Sequence, residues 1–142
     1  MSEARVVMTV EEQNEFLAAS FPGAPRLYRV EHVDLDGVRM RVPYDDGQLR
    51  PGGTISGPTM MGLADGAAWM ATLSRIGPVA LAVTSHLSIN FLARPGQADL
   101  LCHARLLRLG RRQSVSEVRI WSEDGTPDAP VAFATVTYAI PY

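Results

Sequence analysis

The segment SGPTMMGLADGAAWMATLSR, residues 56–75, constrains this chain more than any other. Ser56 suits an N-cap, and Pro58 is tolerated in a first helical turn because its missing N–H needs no partner there. Ile76, Gly77 and Pro78 then stop the run, so the pattern predicts one long helix ending at about Arg75. Its apolar and small residues lie nearly all round the axis, and such a helix must be covered on more than one side. One carboxylate, Asp65, interrupts the run. Carboxylates are rarely buried unless something pairs with them or uses them.

The rest of the chain must supply that cover. TVEEQNEFLAAS predicts a short amphipathic helix over 9–20, with Thr9 as N-cap and Glu12 completing a capping box. RLYRVEHV and VRMRVPY flank Asp34–Gly37 as a hairpin, the second arm alternating Val38, Met40 and Val42 against Arg39 and Arg41. DDGQLRPGG is loop. After the long helix come four strand-like segments, roughly 80–91, 99–109, 114–122 and 131–138, separated by ARPGQ, GRR and EDGTPDAP. Four consecutive strands with short turns are expected to pair antiparallel, so the class is α+β rather than alternating βαβ. A strongly curved sheet wrapped around the central helix satisfies the demand for cover. No internal repeat or low-complexity linker divides residues 1–142, which read as one domain with the short helix packing on it.

A formal net charge of −2 gives no global basic field to attract nucleic acid. One cysteine, Cys102, rules out an intramolecular disulfide and any C-x-x-C motif. The N-terminus has no basic stretch followed by an apolar one, and the most apolar segment, around 60–73, is too short to span a bilayer. A soluble, cytoplasmic protein without a membrane partner is expected.

SGPTMMGLADGAAWMA, then VTSHLSINFLARPG, then LLRLGRRQSVSEVRIW together resemble the PaaI-like branch of the hotdog-fold acyl-CoA thioesterases, over roughly residues 38–140. That family carries His-Gly-Gly and then Leu-Ala-Asp on its central helix, followed by a Phe-Leu strand end and a Leu-Gly-Arg turn. The resemblance implies a hotdog fold and hydrolysis of an acyl-CoA, with no cofactor beyond the coenzyme A of the substrate. It places the catalytic carboxylate on Asp65, the carbonyl-polarising N–H on Gly57 and a water-positioning hydroxyl on Thr84. It also implies homo-oligomers, a dimer or a dimer of dimers, with active sites shared between chains. The family's His-Gly-Gly is Ser56-Gly57-Pro58 here, and Arg50-Pro51-Gly52-Gly53 replaces a loop amide.

The residues support this chemistry independently. A thioester carbonyl needs a donor aimed at its developing oxyanion, and a helix N-terminus offers unpaired N–H groups. Gly57 and Thr59 are the candidates, since Pro58 has no N–H. Asp65 is the only carboxylate on the helix and therefore the only base there, with Met61, Ala68 and Trp69 as an apolar wall. It suits either general-base catalysis or direct nucleophilic attack. Gly57 and Asp65 lie eight residues apart, roughly 12 Å along a helix. A base and an oxyanion donor serving one carbonyl should be closer, whereas two antiparallel helices from two subunits would bring one chain's Gly57 to the other's Asp65.

Plainer readings compete. Asp65 and Thr72 fall on roughly one helical face, which also fits a solvated stripe. Thr84 alternates with Val83, Ser85, Leu87, Ile89 and Phe91, and alternation alone explains a polar side chain there. His86 and Ser56 are candidates for substrate contact, His86 because the alternation puts it on the Thr84 face. Gly110, Arg111 and Arg112 form a turn whose guanidinium forks suit coenzyme A phosphates, or serve as an ordinary charged hairpin turn. No His/Asp/Glu cluster has metal-ligand spacing. Two other function classes fit the fold. A non-catalytic acyl-CoA-binding module would normally carry a DNA-binding segment, and the 27 residues before the first strand are short and acidic. A hotdog dehydratase or hydratase would use a histidine at the helix start, where Ser56 stands.

Overall fold

The computed structural model describes residues 4–22 and 28–141. Helix α1, Val10–Ser20, starts at the expected capping box: the Glu12 N–H donates to Thr9 Oγ1 at 3.1 Å, and the Thr9 N–H donates to Glu12 Oε1 at 2.9 Å. Strands β1 (Arg29–Asp34) and β2 (Gly37–Val42) form the hairpin, and α2 spans Gly57–Ile76. Strands β3 (Val83–Phe91), β4 (Leu100–Leu109), β5 (Gln113–Ser122) and β6 (Ala132–Ala139) follow. Parts of two expected features, the end of the first helix at Gly23 and the start of the first hairpin arm at Arg26 and Leu27, lie outside the described residues.

All six strands join one antiparallel sheet in the order β1-β2-β4-β5-β6-β3. This corrects the expectation that the last four strands pair in sequence. β4, β5 and β6 do, but β3 leaves β4 and docks against β6 at the far edge. The other edge of β4 is taken by β2, and the β3–β4 connection is too long for a hairpin. Its first residues stay beside β6, with the N–H groups of Leu92 and Ala93 both donating to the Val131 carbonyl.

The sheet curves round α2, which packs on β2, β3, β4, β5 and β6. Met60, Leu63, Ala64, Ala67, Met70, Ala71 and Leu73 are buried against Val38, Met40, Val42, Leu100, Val118, Ile120 and Val136. The alternation of β2 holds, with Val38, Met40 and Val42 inward. Gly37 admits no side chain, because a Cβ there would lie 2.0 Å from the Ala104 carbonyl oxygen, and its φ is +132°. Thr72 does not lie on the solvated stripe of the plainer reading. It is fully buried, bonding the Ala68 carbonyl at 2.8 Å and Ser114 Oγ at 2.6 Å.

Polar anchors fix the outer elements. The buried Gln13 side chain donates to the Met70 carbonyl at 2.8 Å, and Phe16 meets Trp69 edge-on at 5.3 Å, so α1 is fastened to α2. Arg41 joins three acidic residues: Glu31 at 2.9 Å, Asp99 at 2.8 Å and Glu123 at 2.8 Å. It thereby ties β1 and β2 to the end of the β4–β5 pair where β4 begins and β5 stops.

Candidate active site

The N-terminus of α2 is built as the sequence suggests. Ser56 Oγ accepts from the Thr59 N–H at 3.3 Å and shares a hydrogen bond with Thr59 Oγ1 at 2.9 Å. The Ser56 N–H donates to the Gln48 carbonyl, fixing the loop that leads into the helix. Among the described residues the Gly57 N–H meets no acceptor. The Phe91 ring lies over Gly57, so close that a Cβ on residue 57 would sit 3.3 Å from the ring tip. Any side chain at residue 57 would meet that ring.

Two turns along the helix, Asp65 is half-buried. Its Oδ1 accepts from the Thr84 hydroxyl and, at 2.8 Å, from the Tyr138 hydroxyl, which is also 3.0 Å from the Asp65 main-chain oxygen. Thr84 and Tyr138 face each other across the β3–β6 pair, and Ser114 faces Tyr138 across β5–β6. The Tyr28 ring lies against Gly62 and Gly66, which leave a groove on the helix for it. Burial, and then the Asp65 charge, raises the Tyr28 hydroxyl above its ordinary range. Burial also dominates at Tyr138; the Thr84 bond opposes it and the Asp65 charge adds to it, leaving the phenol far above its usual range. Both phenols therefore stay protonated, and Tyr138 remains a donor. The carboxylate's immediate partners are hydroxyls rather than the apolar wall expected, since Trp69 turns instead to Phe16 and Phe21.

The shared face of Thr84 and His86 does not exist. A β-bulge at Ser85 sets Thr84 opposite Tyr138 but His86 opposite Thr137. Thr84 thus faces the helix together with Leu87, Ile89 and Phe91, while His86 is exposed on the other side of the sheet. The geometry that suggested substrate contact by His86 is absent.

The Gly110–Arg112 turn is exposed and closed by the Gly110 N–H donating to the Gln113 carbonyl at 2.8 Å. The Arg112 carbonyl accepts from the Ile140 N–H at 2.8 Å, so the arginine turn sits beside the end of β6 that carries Tyr138. Gly57, by contrast, lies under Phe91 at the opposite end of β3 from Thr84 and Asp65. Within one chain, the Gly57 N–H and the Asp65 carboxylate stay apart.

Sequence reasoning missed Tyr138 and Tyr28. Tyr138 was readable in principle, because the inward residues of AFATVTYA are Ala132, Ala134 and Val136 before the series ends on a phenol. Tyr28 owes its place to Gly62 and Gly66, a pairing across the chain that no local pattern announces. Cys102 is fully buried and its thiol is pushed up to about 12 by burial, so it is no nucleophile. Among the described residues, no group of His, Cys, Asp and Glu is placed to hold a metal, and no helix is long and apolar enough to cross a membrane.

The comparisons agree with this architecture. The profile of the thioesterase superfamily matches residues 52–129. A crystal structure of a candidate thioesterase from Silicibacter sp. TM1040 is 35% identical, with 98% of this chain and 96% of that one superposed at a TM-score of 0.88. Two more distant structures share the hotdog fold. A mutant thioesterase from Pseudomonas aeruginosa is 23% identical over 99% of this chain and 100% of its own, with a TM-score of 0.81. Zebrafish thioesterase superfamily member 2 is 20% identical over 95% and 100%, with a TM-score of 0.80. No curated protein matches in sequence. With more than half its length matched by the profile and a 35% identical relative over nearly all of it, the chain belongs to the thioesterase superfamily.

Proposed function

We propose that this protein hydrolyses acyl-CoA thioesters in the cytoplasm, as a PaaI-like enzyme without a cofactor, at sites shared between two copies of the chain. The observation that carries the reading is the Asp65 carboxylate, held by two hydroxyls on the central helix of a thioesterase-superfamily fold. Asp65 takes a proton from water as the water oxygen attacks the thioester carbon. The Gly57 N–H of the second chain stabilises the resulting oxyanion. Collapse of the tetrahedral intermediate breaks the C–S bond, and the proton returns to the departing thiolate, giving free acid and coenzyme A. Thr84 holds the base, and the Arg111–Arg112 turn, at the same sheet end, receives the nucleotide phosphates.

Two observations support the dimer: the separation of Gly57 and Asp65, and the state of β3. That strand is an edge of the sheet, and Met61, Leu81, Val83, Phe91 and Leu92 expose apolar surface around it. A second copy pairing there would cover that surface and set two α2 helices side by side. A dehydratase is disfavoured by Ser56 at the helix start, and a purely binding module has no need of an oriented carboxylate.

Thiol release from a panel of short, medium, long and aromatic acyl-CoAs tests the reading, with Asp65→Asn and Gly57→Trp alone and mixed. Asp65→Asn should fold and lose at least about 100-fold in turnover. Gly57→Trp should also be inactive. After subunit exchange, half the dimers carry one intact site, so about a quarter of wild-type activity should return. Turnover by Asp65→Asn above a tenth of wild type would remove Asp65 from the chemistry. Two inactive variants that stay inactive despite demonstrated exchange would refute the shared site.

A further inference from the structure

We propose that Tyr138 is a positioning residue that, with Thr84, clamps Oδ1 of Asp65 and so designates Oδ2 as the oxygen that accepts the proton from water. The proposal rests on the hydrolytic reading above and deepens it. An aspartate carboxylate turns readily about its last torsion, whose profile is broad and nearly two-fold. Here that freedom is removed. Thr84 and Tyr138 both donate to Oδ1, while Oδ2 accepts no hydrogen bond from any described residue. The Tyr138 hydroxyl also reaches the Asp65 main-chain oxygen at 3.0 Å, so the same group registers the carboxylate against its own helix backbone.

The phenol is poorly explained as filling alone. Tyr138 is 4% exposed and ends an inward row of Ala132, Ala134 and Val136, where a phenylalanine would bury the same ring. The hydroxyl is what the site gains. Because the phenol stays protonated, its donor role is permanent, and its bond runs from β6 to α2, joining two regular elements rather than loops. Thr84 alone would leave Oδ1 with a single donor.

The test is Tyr138→Phe in the full-length enzyme, assayed on the best acyl-CoA of the panel. Misplacing a reacting group by an ångström costs up to about 100-fold, so kcat should fall about 10- to 100-fold while KM changes less than about twofold. The melting temperature should stay close to that of wild type. Unchanged kcat would overturn the proposal, as would a loss in which KM and melting temperature move together with kcat. Should the variant not fold, fluorotyrosines of stepwise higher acidity at position 138 keep the shape and the hydroxyl. Graded dependence of kcat on that acidity supports positioning, and a flat response refutes it. Asp65→Asn, run in parallel, separates the two claims: if it is inactive while Tyr138→Phe is fully active, only the positioning role fails. If Asp65→Asn itself turns over, both readings fall.

Discussion

Two glycines one turn apart on α2, Gly62 and Gly66, should respond oppositely to the same substitution. In a helix interior, alanine is worth about 1 kcal/mol more than glycine. At Gly66 the added methyl would lie 3.8 Å from Cδ2 and Cε2 of Tyr28, an ordinary contact. Gly66→Ala should therefore stabilise by about 1 kcal/mol, or about 3 °C for a chain of this size. At Gly62 the methyl would lie 2.6 Å from the Tyr28 hydroxyl oxygen, well inside contact distance. Overpacking of this kind costs about 1–3 kcal/mol, which cancels or exceeds the helical gain. Gly62→Ala should thus be neutral to about 2 kcal/mol destabilising. The next atom of the ring, Cζ, is 3.8 Å away, so removing only the hydroxyl relieves the clash. In a Tyr28→Phe background, Gly62→Ala should become stabilising, giving a coupling of about 1–3 kcal/mol between positions 28 and 62. Urea unfolding of the four variants and Gly66→Ala, at one protein concentration because any subunit association would shift the transition, measures every quantity. Gly62→Ala at least as stable as Gly66→Ala, or a destabilisation that persists with Phe at 28, would refute the packing argument.

Arg41→Met should cost about 1–3 kcal/mol at neutral pH, between the range for exposed pairs and that for buried ones, because it leaves Glu31, Asp99 and Glu123 facing each other. Burial works against the Asp99 charge, but the Tyr44 N–H and Arg41 outweigh it and hold that carboxyl below its usual range; its stabilisation is present above about pH 4 and lost as pH falls through the lowered value, so the gap between variant and wild type in urea unfolding should narrow from pH 7 to pH 3. Arg111→Ala combined with Arg112→Ala should weaken free coenzyme A binding and make it less salt-sensitive in calorimetry, while acyl-pantetheine turnover stays almost unchanged. Equal losses on both would assign the arginines to the turn's structure.

Local chemistry was legible wherever one segment decides its own conformation. Ser56, Pro58 and Gly77 bounded α2 to within a residue, the Thr9–Glu12 box started α1, and alternation put Val38, Met40 and Val42 inside. Non-local choices were not legible. β3 has two candidate neighbours of similar pattern, and its docking on β6 depends on β2 already occupying the edge of β4. Thr72 could be read as exposed because its partner, Ser114, lies 42 residues away on β5. Asp65 and Gly57 were singled out by their types and places on the helix together with the family resemblance, and the structure adds the two hydroxyls on Asp65. Tyr138, which touches Asp65, was passed over because a tyrosine near the end of a strand carries no signal until the opposite face is known.

The bulge at Ser85 shows why the site resists a reading by period. With Leu87, Ile89 and Phe91 facing the helix, strict alternation would send Thr84 outward with His86. One extra residue reverses the phase, so that Thr84 turns inward opposite Tyr138 and reaches Asp65. The apolar half of β3 and its polar end therefore obey different registers. The first serves the packing of α2, and the second serves the carboxylate. A regular strand would keep the first and lose the second. The two hydroxyls reach Asp65 only because the sheet gives up one residue of pairing beside it, so the hydrophobic pattern misleads at the very place where the carboxylate is held.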